Sequence, residues 1–290
     1  MSQPILGPFN QGSLQDFDDC RRRFYLRHIL HLAWPAIETQ PALENERFMK
    51  QGAAFHRMIH QYWIGVPEDR LSEMNQEPDL QFWWQNFINH ASKLPGLVGE
   101  GIRRFPEITL TMSLEGQRLV AKYDLIVYLP EGRWMIYDWK TSRHQSRRDR
   151  LAVRWQTRLY PFLLTHAGSQ LLAASTIGQK ADLQPDQISF LYWFPAFPET
   201  PLSFPYSASQ FRRDRDDLAS LLRTIMRLAA KPSPESFPLT PDENNCKFCI
   251  YRSLCDRGIQ AGAQEVENNE EENDLLAINF DFDQVAETEF

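Results

Sequence analysis

Apolar positions recur at helical spacing through the first ninety residues and at alternating spacing beyond them. Within 44–63, Phe48, Phe55, Met58, Ile59 and Tyr62 fall three or four residues apart and predict a helix. Residues 79–91, rich in Trp and Phe, predict another. A further helix is expected over 13–32, with Ser13 as its N-cap, Asp16 in the first turn, and Leu14, Phe17, Phe24 and Tyr25 as apolar anchors. The period then falls to two. Residues 107–112, 119–128 and 134–139 read as three antiparallel strands, with turn signals at Glu115-Gly116 and at 130–132. A helix over 149–165, a fourth strand over 187–194 and a long charged helix over 209–230 complete a core order of αβββαβ.

Composition bounds what this pattern can build. The chain has 290 residues, 42% of them hydrophobic, enough for a substantial buried core. It contains no run of eighteen apolar residues and no charged N-terminal segment followed by an apolar one, so a cytoplasmic protein without a membrane span is expected. The formal net charge of −7 is unevenly spread. Residues 259–290 hold ten acids and no base, leaving 28 acids against 31 bases, a net of about +3, over residues 1–258. The expected organisation is therefore one domain over 1–258 and an acidic, disordered tail over 259–290. A short island at 275–282 that mixes apolar residues with acids reads either as part of a solvated tail or as a docking segment for a protein partner.

Carboxylates fall inside the apolar strand pattern at Asp124 in one strand and at Asp138, in Asp138-Trp139-Lys140, at the end of the next. Burying a carboxylate is costly unless it is paired or binds a cation. The three groups suit either a divalent-metal site or a buried Asp–Lys salt bridge. His56, four residues after Gly52 on its helix, is a candidate ligand or a packed histidine. Gln156 and Tyr160, at i and i+4, share one helix face. Around them Arg143, Arg147, Arg148, Arg150, Arg154 and Arg158 form the most basic part of the chain, as expected either of a solvated helix or of a surface that holds a phosphate backbone.

Three of the four cysteines, Cys246, Cys249 and Cys255, lie within ten residues, and Cys20 is the only other. Four thiolates suit tetrahedral zinc or a [4Fe–4S] cluster. Either would clamp the two ends of the domain together.

Together these elements resemble the PD-(D/E)XK nuclease superfamily, and within it the RecB-like iron–sulfur exonucleases (the AddB C-terminal nuclease and CRISPR-associated adaptation exonuclease type). The resemblance spans about residues 13–257. Leu14-x-x-Phe17-x-x-Cys20-Arg21-x-x-Phe24 is similar to the family's opening motif, Gly52 to His56 to its Gly-x-x-x-His, and Asp138-Trp139-Lys140-Thr141 to its (Asp/Glu)-x-Lys-Thr. Asp124, Gln156 to Tyr160, and Cys246-x₂-Cys249-x₅-Cys255 follow in family order. Ala121 and Arg21 stand where the family usually has Gly and Pro.

The resemblance implies a restriction-endonuclease-like α/β fold: a mixed central sheet flanked by helices, with a helical N-terminal region and a C-terminal cysteine cluster. It implies that His56, Asp124, Asp138 and the carbonyl of Trp139 hold Mg²⁺ or Mn²⁺, that Lys140 acts at the scissile phosphate, and that Gln156 and Tyr160 orient Lys140 and the phosphate. It further implies a [4Fe–4S] cluster on Cys20, Cys246, Cys249 and Cys255, with zinc as the alternative. The expected activity is metal-dependent exonucleolytic cleavage of single-stranded DNA or DNA ends. The alternative is a non-catalytic iron–sulfur module that binds nucleic acid. The chain contains no Walker-type Gly-x-x-x-x-Gly-Lys-(Ser/Thr), so unwinding would fall to a helicase or another DNA-processing partner.

Overall fold

The computed structural model describes residues 6–32, 42–74, 77–142, 144–173, 183–247 and 249–258. Arg143 and the acidic tail over 259–290, with its docking island, lie outside the described residues.

Five strands form one sheet in the order β1 (Arg103–Leu114), β2 (Gln117–Tyr128), β3 (Trp134–Trp139), β4 (Ile188–Trp193) and β5 (Leu202–Pro205). The three strands expected from period-two patterning pair antiparallel. β3 and β4 are parallel, joined by a helical crossover, and β5 returns antiparallel to β4. The sheet is thus mixed, as a restriction-endonuclease-like core requires. β5 was not foreseen, because Leu-Ser-Phe-Pro is too short to show a period.

Helices cover both faces. On one side, α3 (Ala42–Trp63), α4 (Glu68–Met74) and α5 (Pro78–Ala91) bury Phe55, Met58, Trp83 and Phe87 against Leu125, Val127, Tyr137, Trp139 and Trp193. On the other, α1 (Gln11–Asp19), α2 (Arg21–Phe24), α6 (Arg148–Val153), α7 (Trp155–Ala167) and α9 (Ala208–Ala229) cover Ala121, Tyr123, Ile136, Phe190 and Tyr192. A short α8 (Ser169–Ala173) follows α7. Aliphatic and aromatic side chains removed from water on this scale dominate the stability of such a layered domain.

Two expected helices are broken, each for a local reason. The helix over 13–32 begins earlier: Asn10, not Ser13, is the N-cap, and Ser13 closes a reciprocal capping box with it. It stops at extended Cys20 and resumes as α2, which ends in a wider π-type turn over Tyr25–Ile29. The helix over 149–165 is interrupted at extended Arg154, which frees the N–H of Trp155 to bond Gln15 Oε1 at 3.2 Å.

The C-terminal segment folds back onto α1 and α2. Arg22 donates from Nε to the carbonyl of Phe237 at 2.8 Å and from Nη2 to that of Pro234 at 2.7 Å. Tyr251 donates to the carbonyl of Leu32 at 2.8 Å, and the Phe237 ring stacks on Tyr25. None of the described helices is long and apolar enough to cross a membrane.

Candidate active site

The β2–β3 ladder runs from Tyr128↔Trp134 to Leu125↔Tyr137 and stops there. The next positions are Asp124 and Asp138, and at this point the strands part. On the other side of Asp124, the β1–β2 pairing skips Glu107, whose φ of +52° places it in the left-handed region. The alternation reverses across this point: Ala121 and Tyr123 face the α7 side, whereas Leu125 and Val127 face α3. A one-residue phase change exchanges the faces of a strand. Asp124 sits at the inflection and reaches α3.

Asp124 Oδ1 lies 3.1 Å from His56 Nδ1, and Oδ2 accepts from the backbone N–H of Trp139 at 2.8 Å. The carboxylate therefore stands in for a ladder carbonyl while engaging a helix on the opposite layer. Burial disfavours the His56 imidazolium, but the charge and hydrogen bond of Asp124 outweigh it and hold His56 up to about 9. The same pairing with His56 holds Asp124 below the usual carboxylate range despite its burial.

Asp138 is buried at the end of β3. Its Oδ2 is 3.0 Å from Lys140 Nζ, and its Oδ1 accepts from Gln156 Nε2 at 2.6 Å. Lys140 Nζ also donates to Gln156 Oε1 at 2.8 Å. Gln156, from the first turn of α7, thus bridges acid and base, using its amide nitrogen on one and its amide oxygen on the other. Burial pushes Asp138 above the usual carboxylate range; Lys140 opposes this and neighbouring Asp124 reinforces it. The backbone N–H of Lys140 donates to the carbonyl of Trp193 at 2.9 Å, fixing the end of β3 against β4.

Tyr160 is placed differently from Gln156. Its ring is buried against Tyr123 at 4.8 Å and Phe190 at 5.9 Å, and its carbonyl accepts from Tyr123 Oη. Two residues that the sequence pattern did not single out adjoin Gln156. Tyr192 on β4 stands in register with Asp138, and its hydroxyl lies 2.8 Å from Thr157 Oγ1 and 3.4 Å from Gln156 Oε1.

The arginines divide. Arg147 is exposed and pairs with exposed Asp149, and Arg148 lies over the Phe204 ring at 4.5 Å. Arg154 turns inward to Asp19 at 3.5 Å. Arg158 stacks on Trp155, pairs with fully buried Asp214 at 2.6 Å, and also binds Asp217. Its charge is committed to α9.

The four cysteines are free thiols in one neighbourhood. Burial, together with the proximity of Cys20, Cys249 and Cys255, pushes the Cys246 thiol up to about 11. Among the described residues, no group of three or more His, Cys, Asp or Glu side chains is gathered closely enough to grip an ion. At the acidic site the oxygens of Asp124 and Asp138 are engaged instead by the protein's own donors, named above. The donor chemistry nonetheless fits a hard divalent cation: a buried carboxylate, raised by its burial and by a neighbouring half-buried one, is a group that such an ion relieves.

The mixed five-stranded sheet flanked by helices is consistent with a restriction-endonuclease-like fold. The model of the PD-(D/E)XK nuclease superfamily matches residues 8–256, and the chain belongs to that superfamily. Among solved structures it is similar to SSO0001, with 13% identity over 87% of each chain and a TM-score of 0.40. It is also similar to a provisionally named exonuclease from Eubacterium rectale, with 12% identity over 88% of this chain and 89% of the other, and a TM-score of 0.45. No curated protein matches the sequence.

Proposed function

We propose that this protein is a metal-dependent DNA exonuclease, hydrolysing phosphodiester bonds of single-stranded DNA or DNA ends. The observation that carries the reading is the Lys140 ammonium held between Asp138 Oδ2 and Gln156 Oε1, beside the Asp124–His56 pair. A structural salt bridge needs neither the second carboxylate nor the bridging amide.

Asp124, Asp138, His56 and the carbonyl of Trp139 would hold Mg²⁺ or Mn²⁺, which supplies Lewis acidity and charge neutralisation at the phosphate. Lys140, a compact point charge held by Gln156, faces the scissile phosphate and positions the attacking water. Gln156 keeps the ammonium and Asp138 in register. Tyr160 anchors α7 on the sheet, and exposed Arg147 and Arg148 face the DNA backbone. For Cys20, Cys246, Cys249 and Cys255 we favour a [4Fe–4S] cluster over zinc. Arg23, whose charge bears on Cys246 and Cys249, suits the net negative charge of a thiolate-bound cluster.

The test is cleavage of end-labelled single- and double-stranded DNA with Mg²⁺, Mn²⁺ or EDTA, comparing anaerobically purified protein with Lys140→Ala. Metal-dependent cutting lost in the variant supports the enzyme. Tight binding without cutting by either protein replaces it with a non-catalytic module. Colourless protein carrying stoichiometric zinc overturns the iron–sulfur assignment.

A further inference from the structure

The donor inventory beside Gln156 singles out one more side chain. Thr157 has one hydroxyl proton, and Oγ1 donates it to the carbonyl of Leu151 at 2.5 Å. The 2.8 Å contact between Thr157 Oγ1 and Tyr192 Oη therefore carries the tyrosine's proton. The same proton has Gln156 Oε1 as its longer second acceptor at 3.4 Å. The Tyr192 ring meanwhile lies beneath the ammonium of Lys140, 5.4 Å from Nζ to the centroid. Tyr192 is fully buried, and burial holds its phenol well above the usual range, so it remains a neutral donor.

We propose that Tyr192 is a positioning residue of this centre. Its ring face seats the ammonium of Lys140, and its hydroxyl, placed by Thr157 and sharing its proton with Gln156 Oε1, keeps the oxygen of the Gln156 amide toward Lys140 and the nitrogen toward Asp138. A flipped amide would set its NH₂ against the ammonium and its oxygen against the carboxylate, two repulsive contacts in place of two bonds. The ring carries the larger share because a cation over an aromatic face gains most where water is excluded. This inference rests on the nuclease reading for its kinetic consequence but not for its geometric one.

The experiment therefore has two readouts on the full chain, with Tyr192→Phe, Tyr192→Leu and Thr157→Val. First, lysine is labelled with ¹³C at Cε and the Lys140 signal is identified by its loss in Lys140→Arg. The ring current of Tyr192 shifts that signal upfield in wild type and in Tyr192→Phe, and the shift disappears in Tyr192→Leu. Second, in DNA cleavage, Tyr192→Leu lowers kcat by about 100-fold, the scale set by misplacing a reacting group by about 1 Å, while KM changes by less than about twofold. Tyr192→Phe restores all but about tenfold of the rate. Thr157→Val lowers kcat only while Tyr192 keeps its hydroxyl, so that it adds nothing in the Tyr192→Phe background. An unchanged Lys140 signal in Tyr192→Leu, or full activity of that variant, overturns the proposal. Should Tyr192→Leu fail to fold, the non-additivity of Thr157→Val with Tyr192→Phe decides, and simple additivity overturns it. Wild-type protein that shifts the Lys140 signal but cuts no DNA sinks the nuclease reading and leaves the seat of the ammonium established.

Discussion

The backbone N–H of Trp139 donates to Asp124 Oδ2, a side chain doing the work of a strand carbonyl at the point where β2 and β3 part. The bond ties an acid of one strand to the acid-x-lysine segment of the next, so the geometry of the candidate site and that of the sheet are set by the same atom. Asp124→Ala leaves that buried N–H without its acceptor and is expected to destabilise the fold by about 1 to 3 kcal/mol relative to Asp124→Asn, which keeps one amide oxygen. Urea denaturation of the two variants measures the difference. Both are expected to lose metal-dependent cleavage.

Gln156→Leu removes the bridge between Asp138 and Lys140 while preserving most of the side-chain volume. Cleavage is expected to fall by up to about 100-fold, the scale of misplacing a reacting group by about 1 Å. Retention of wild-type turnover would show that Lys140 is held elsewhere.

Asp16 receives Arg23 Nε at 2.7 Å, Arg27 at 2.8 Å and His28 at 3.0 Å. Burial alone would raise its carboxyl, yet the His28 hydrogen bond and the two guanidinium groups bring it down to about 2. A depressed folded-state value means that the contribution is fully present above the unfolded value near 3.8 and is lost as pH falls through about 2. Asp16→Asn is expected to cost about 3 kcal/mol at neutral pH and to flatten the acid limb of the stability curve below pH 4. Thermal melts from pH 2 to 7 test both points.

Glu115 and Gly116 form the two-residue β1–β2 turn with φ of +51° and +71°, the geometry that favours Asn-Gly. Glu115 spends that strain for an exposed ion pair with Arg223 at 2.7 Å. Such pairs contribute about 0 to 1 kcal/mol, less than the relief of placing Asn in the left-handed region. Glu115→Asn is expected to raise stability by about 0.5 kcal/mol, read from the urea midpoint.

Much of this arrangement was legible in the residues themselves. Strand-like runs bounded by turn signals located β1 to β3, and carboxylates within apolar strands marked Asp124 and Asp138, because burial makes such residues conspicuous. Tyr192 was not legible: in the apolar run over 190–194 a tyrosine looks like core, and only the docking of α7 on β4 brings its hydroxyl to Gln156. Arg158 reads from sequence as one more phosphate-facing cation. Its partners Asp214 and Asp217 lie over fifty residues away, and only the docking of α9 on α7 brings them to it. The phase reversal at Glu107 and Asp124 was equally hidden, since a strand that changes face midway has no single period.

The return of the C-terminal segment onto α1 and α2 bears on how the protein is made. Arg22 meets Phe237 across 215 residues and Tyr251 meets Leu32 across 219. On a translating ribosome the first helices thus wait roughly ten to forty seconds for the groups that will cover them. Through that interval Phe24 and Tyr25 lack the Phe237 ring that they stack against in the finished molecule. The residues translated first are among the last to be secured, and a chain arrested before Phe237 presents an open aromatic surface to chaperones and proteases.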